Sequence, residues 1–194
     1  MPLVKGLSLV GFGRFGAAFA QLAEDAGVPV RAWDPSCKPP KRWSVQNPAE
    51  LVQGAEFVVF SVPVNNLGQA LAEWRPYLQP DSLVIDVSSV KHGPNQSMES
   101  ALGSEIPWIG THPLFGPSSI ALGQRPLRVV VCPNPTHPHA AGSATALFEK
   151  LGCQVQLEDA EVHDRSMAYS HALAFFVAKG MLDLDELQHL AFAP

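Results

Sequence analysis

The chain has 194 residues, 46% of them hydrophobic and 16% charged, with a net charge of −5. This composition suits one full α/β core with a small appendage and excludes a disordered chain. The sequence has no basic tract for nucleic acid, and no apolar run reaches the roughly 18–20 residues of a membrane span. The first residues, Met-Pro-Leu-Val-Lys, run straight into a strand, so no signal peptide is expected. Cys37, Cys132 and Cys153 are odd in number and lack metal-type spacing, and read as reduced thiols of a cytoplasmic protein.

In chain order, Leu7–Val10 is an apolar strand that enters Gly11-Phe12-Gly13-Arg14-Phe15-Gly16. A helix over 15–26 follows, with Phe15, Phe19, Leu22, Ala23 and Ala26 at helical spacing and Gly27 at its end. This is Gly-x-Gly-x-x-Gly between strand and helix. Gly11 permits the tight turn, Gly13 lets a pyrophosphate approach the backbone, and Gly16 lets the helix pack on the strand. The N–H groups at the helix start then meet the phosphates. Val30–Trp33 is the second strand, and Asn47-Pro48 opens a short helix over 49–52. A strand over 57–62 is stopped by Pro63, and a helix over 67–78 precedes a strand over 83–87. A weaker helix over 96–102, strands over 108–111 and 128–132, a helix over 139–151 and a strand over 154–157 complete the alternation.

This order predicts an α/β fold: a Rossmann-type, doubly wound, mostly parallel sheet with a C-terminal helical extension. The expected units are a NAD(P)-binding domain over 1–157 and a helical segment over 158–194. In the latter, Asp159 caps a helix that runs to about residue 183. Met167, Ala172, Leu173, Phe175, Phe176 and Val177 make it too apolar to stand alone in water. It is expected to pack on a second copy of the chain.

Ligands of an open α/β sheet sit at the carboxyl ends of its strands. There Gly11, Phe12, Gly13, Arg14, Phe15, Gly16, Asp34, Ser61, Val62 and Pro63 are the expected cofactor residues. Asp34, eighteen positions past Gly16, suits ribose hydroxyls and repels a 2′-phosphate, which favours NAD over NADP. Lys38, Lys41 and Arg42 are the counter-reading, a cluster able to hold a phosphate. Ser61-Val62-Pro63 lines the nicotinamide half or merely ends a strand. His112 follows the fifth strand, where an imidazole can take a hydroxyl proton as hydride leaves the same carbon, with a nearby serine to orient it. His137 and His139 lack a third ligand and read as loop residues, so no metal is expected. His163-Asp164 reads as a surface pair near a helix cap, His171 as buried, at an interface or a ligand, and His92 and His189 carry no signal.

Five motifs in this order are Gly-Phe-Gly-Arg-Phe-Gly, Ser-Val-Pro-Val, Asp-Val-Ser-Ser-Val-Lys, Thr-His-Pro-Leu-Phe-Gly-Pro and His-Asp-Arg-Ser-Met-Ala-Tyr-Ser-His-Ala-Leu. Together they resemble the prephenate/arogenate dehydrogenase family of tyrosine biosynthesis, over about residues 7–181. The resemblance implies oxidation of a ring carbon bearing a hydroxyl, with hydride passing to NAD or NADP and loss of the ring carboxylate as carbon dioxide. It implies His112 as the catalytic histidine and Ser89 as its serine partner. Substrate contacts are expected from Ser88, Lys91, Gly116 and His171, and the protein is expected to be a homodimer joined through its last helix. Relatives continue into an all-helical domain that supplies an arginine for the substrate's side-chain carboxylate, and nothing here matches it. They also carry a histidine about one turn past His171, where this chain has Ala174-Phe175-Phe176. The chain therefore reads as a fragment, a shortened paralogue, or a dimer whose swapped helix completes each site. Two other functions stay open: a small Rossmann hydroxyacid or imine reductase, and a non-catalytic NAD-binding regulatory module.

Overall fold

The computed structural model describes residues 6–183. Strands β1 (Leu7–Val10), β2 (Val30–Trp33), β3 (Phe57–Phe60), β4 (Leu83–Asp86), β5 (Trp108–Pro113), β6 (Leu127–Cys132) and β7 (Cys153–Leu157) form one sheet in the order β2-β1-β3-β4-β5-β6-β7. All neighbours are parallel except β5 and β6. Strands β1, β3 and β4 are buried along their whole length, as expected of strands covered on both faces.

Helices α1 (Arg14–Asp25) and α6 (Ala140–Lys150) pack on one face, where Phe19 and Phe148 meet Leu9, Val59 and Ile85. On the other face, α2 (Pro48–Val52), α3 (Leu67–Trp74) and α4 (His92–Leu102) bury Leu51, Leu71, Trp74 and Met98 against Val58, Phe60 and Val84. Odd and even strand positions thus feed separate cores, which is the period-two pleat at work. The expected doubly wound, mostly parallel sheet is the observed one.

Several boundaries differ from the sequence reading, each for a physical reason. Strand β3 stops at Phe60 because the chain turns through Ser61 into a short 3₁₀ turn, Val64–Asn66. Helix α3 ends at Trp74: Arg75 is still helical and donates to the Leu71 carbonyl, but Pro76 has no N–H with which to continue the ladder. Helix α4 starts a full turn early, at His92. The carboxylate of Asp164 accepts hydrogen bonds from the Lys91 and His92 N–H groups, at 2.7 and 2.8 Å, from more than 70 residues away. Strand β5 runs on to Pro113 because the antiparallel partner β6 pairs with its end, His112 opposite Val130. A five-residue helix, α5 (Pro117–Ala121), has no counterpart in the sequence reading.

The last helix, α7 (Ala160–Asp183), is capped by the Asp159 carboxylate, which accepts from the Glu161 and Val162 N–H groups. Its first turn docks against α4, with His163 fully buried. Beyond that, Tyr169, Phe175 and Phe176 are 75, 76 and 78% exposed. Among the described residues no helix is long and apolar enough to cross a membrane. The expected segment over 158–194 is described only as far as Asp183.

Beneath the carboxyl edge lies a buried ion pair. The Lys91 ammonium donates to Asp86 and, at 2.5 Å, to the Thr111 carbonyl, and both charged side chains are fully buried. Lys91→Met leaves the Asp86 carboxylate buried without its cation. Chemical denaturation is expected to show a loss of about 3–5 kcal/mol, and a loss below 1 kcal/mol would mean that the pair is not a structural element.

Candidate active site

The glycine turn has the geometry its spacing suggests. Gly11 sits at φ +99°, and a side chain there would also collide with the Ser61 carbonyl. A Cβ on Gly16 would run into the Gly11 carbonyl, so this helix start can approach β1 only as glycine. Gly13, which caps α1, faces open space. That space borders a helix N-terminus whose free N–H groups favour an anion. Arg14 is exposed at the same point.

Asp34 stands at the end of β2 and ties the glycine turn in place. Its carboxylate accepts from the Phe12, Ser36 and Cys37 N–H groups, each at 2.7 Å. Partial burial works to raise its pKa, but the three hydrogen bonds outweigh this and hold the carboxyl below its ordinary value. A depression of about 480 Å³ runs from Asp34 and Cys37 past Gly11 and Gly13 to Ser61, Val62 and Pro63. A second, of about 300 Å³, shares Gly13, Ser61, Val62 and Pro63 and continues past Arg14 and Phe15 to Val87 and Ser88. Together they form a cleft across the point where the strand order reverses, between β1 and β3. Its lining, from the Asp34 carboxylate past the glycine turn to Ser88, fits a dinucleotide. Of the basic cluster, Arg42 is turned away: its guanidinium lies 4.2 Å from the Trp43 ring centre and pairs with Glu24 of α1 at 3.3 Å.

Strand register places His112. Val10, Phe60, Asp86 and Gly110 stand side by side in the ladder. His112 lies two residues beyond Gly110, about 7 Å past that level, on the strand next to β4. The ring is 7% exposed. It is oriented by a neighbour the sequence reading did not choose: His112 Nδ1 lies 2.9 Å from His163 Nε2, and His163 Nδ1 lies 2.8 Å from Asp164 Oδ1. The two rings stand nearly perpendicular, at 86°. His163-Asp164, expected as a surface pair, is thus built into the wall behind His112. Sequence spacing held no sign of this, because the pair lies 51 residues from its partner. Burial works to raise the pKa of Asp164, but bonds from the His92 N–H, the His163 ring and the Lys91 N–H outweigh it and lower the value. Downstream of His112, Phe115 packs on Phe15 and so fastens this loop to the glycine-turn helix.

The remaining expected residues divide. Ser88 lines the cleft, with its hydroxyl donating to Asp86 at 2.6 Å. Ser89 is exposed on the same loop, and the neighbour seen at His112 Nδ1 is His163. Lys91, expected at the substrate, is instead sealed beneath the site by Asp86 and Thr111. Gly116 caps α5 at the protein surface. The side chain of His171 and all of His189 lie outside the described residues. His137 is bonded to the Gly103 carbonyl and packs on Trp108, which gives it a structural place.

The signature of the family described as "Prephenate dehydrogenase, nucleotide-binding domain" matches residues 42–157. A probable arogenate/prephenate dehydrogenase of Methanocaldococcus jannaschii is 30% identical over 134 residues, covering 67% of this chain and 29% of that protein. The T-protein of Enterobacter agglomerans is 29% identical over 199 residues, covering 98% of this chain and 50% of its own length. The chain therefore spans half or less of these curated relatives. The fold is similar to a prephenate dehydrogenase from Aquifex aeolicus solved with hydroxyphenyl propionate and NAD+. That structure has a TM-score of 0.72 at 20% identity, with 93% of this chain and 70% of that one covered.

Two measurements test the site's electrostatics. Burial pushes the Cys132 thiol up to about 12 and the Cys153 thiol up to about 11, whereas Cys37 is exposed on the cleft wall. One thiol per folded chain, Cys37, is expected to react with an aromatic disulfide reagent at neutral pH, and the other two only on unfolding. Rapid reaction of two or more would contradict this burial. Asp164 has a folded pKa below its unfolded value, so its stabilisation is present above about pH 4 and is lost as pH falls through the folded value. The stability gap between wild type and Asp164→Asn is expected at pH 7 and should close in acid.

Proposed function

Because the chain belongs to the prephenate dehydrogenase family through its nucleotide-binding domain, we propose that it is a NAD-dependent oxidoreductase that oxidises and decarboxylates prephenate or arogenate. The observation that carries this reading is the place of His112, one strand from Ser88 at the end of the cleft that begins at Asp34. The ligands named for the Aquifex aeolicus protein, NAD+ and a hydroxyphenyl acid, have the chemistry of this cofactor and an aromatised product.

NAD, when bound, would supply the hydride acceptor for oxidation of the ring carbon that carries the hydroxyl. This chain supplies the rest. His112 takes the hydroxyl proton as the carbon–oxygen double bond forms. The bond to the ring carboxylate then breaks, its electron pair enters the ring, and carbon dioxide leaves. His112 returns the proton to the ring oxygen, leaving a phenol. The Gly13 turn and Arg14 hold the pyrophosphate, and Asp34 accepts from the ribose hydroxyls. Asp34 disfavours a 2′-phosphate, and Arg42 is occupied by Glu24; both favour NAD over NADP. Ser88, Ser89 and Gly116 face the substrate from the two loops beside His112. We read residues 1–157 as the cofactor domain and 158–194 as a helical segment that joins two copies of a cytoplasmic protein.

The test crosses NAD and NADP with prephenate and arogenate and follows reduced nicotinamide. One substrate is expected to turn over with NAD, and no turnover in any combination would overturn the proposal. His112→Asn is expected to lower turnover by about 10²–10⁴-fold with NAD affinity unchanged. Full activity in that variant would remove His112 from the chemistry. Gly13→Ala meets no neighbour within 4 Å, so it should leave the thermal midpoint unchanged while weakening NAD binding.

A further inference from the structure

We infer that His163 and Asp164 are positioning residues that select which nitrogen of His112 is basic; this rests on the role proposed above for His112. The Asp164 carboxylate accepts from two backbone N–H groups, those of Lys91 and His92, and carries a lowered pKa, so it is ionised and offers only lone pairs. His163 Nδ1, 2.8 Å away, must then carry the proton. In a neutral ring this leaves His163 Nε2 as an acceptor. His112 Nδ1 lies 2.9 Å from that nitrogen and must donate. The lone pair of His112 is thereby placed on Nε2, on the side of the ring away from α7. Among the described residues, the charged and titratable groups around this chain of bonds include Asp86 and Lys91, paired with each other, His92 at the start of α4, and Cys132 on β6. Asp159 and Glu158 act on the same region from the chain entering α7.

The same carboxylate starts α4 and fixes α7. The helix that leads away from the sheet is therefore coupled to the proton state of the base. A shift of α7 that broke the His163 contact would release His112 to either tautomer.

The readout is the pair of ¹⁵N shifts of the His112 ring at a pH where it is neutral, which needs neither substrate nor cofactor. Wild type is expected to hold the proton on Nδ1. His163→Gln keeps an acceptor oxygen near the Nε2 position and should retain that tautomer and most of the turnover. His163→Leu removes the acceptor and should end the exclusive Nδ1 protonation of His112, with kcat lowered at least tenfold and NAD affinity unchanged. Asp164→Asn can donate to His163, reverse the chain of bonds and move the His112 proton to Nε2, the kind of inversion that costs up to about 10⁴-fold in a Ser-His-Asp triad. Wild type with the proton on Nε2, or a His163→Leu variant with unchanged ¹⁵N shifts, overturns the inference. A chain with the expected tautomers but no turnover on either substrate leaves the relay standing and removes the proposed function instead.

Discussion

Parallel neighbours can be joined only by crossing over the sheet, so β1 to β5 all point one way and all open their loops on one edge. The ladder makes that edge level: Val10, Phe60, Asp86 and Gly110 are in register. Everything that could touch a ligand follows from this. The glycine turn, Ser61-Val62-Pro63, Ser88 and His112 come from segments up to a hundred residues apart and end within a few residues of one line. From β2, which leads to Asp34, to β4, which leads to Ser88, is three strand spacings, about 14 Å. The cleft covers that span, beginning at an acidic end built around Asp34.

Two side-chain arrangements keep the edge from relaxing. Beneath it, Asp86 and Lys91 neutralise each other in a dry environment, and the spare hydrogen bonds go to Ser88 and the Thr111 carbonyl. Such a pair adds little net stability compared with apolar packing, but it is costly to break, so it locks the β4 loop to β5. Above it, Asp164 accepts from the N–H groups of Lys91 and His92, at the entry to α4, and from the His163 ring. It works as a helix cap supplied by a distant helix. The first turn of α7 is therefore part of the site, while the rest of that helix carries large apolar side chains in the open.

Much of this was legible in the sequence. Short apolar runs alternating with 3.6-residue periodicity identify the parallel strands and most helices. Glycine spacing identifies the turn because no other residue can stand at φ +99° against Ser61 or let α1 touch β1. Asp34 and His112 could be selected because strand ends in such folds face ligands. Less legible were the roles of charged and polar residues. Lys91 and Ser89 belong to one motif and look like neighbours with similar duties, yet one is sealed in and the other is exposed. Their fates depend on whether Asp86 or solvent lies opposite, which local sequence does not encode.

The sequence by itself determined the layered α/β architecture and the dinucleotide turn, since strand and helix periodicity and glycine spacing are local signals. Tertiary structure alone decided that β6 runs antiparallel, that β5 extends through His112, that α4 begins at His92, and that His163 and Asp164 stand behind His112. Those outcomes depend on partners 16 to 73 residues apart, brought together by burial and hydrogen-bond geometry. Local periodicity carries no record of such meetings.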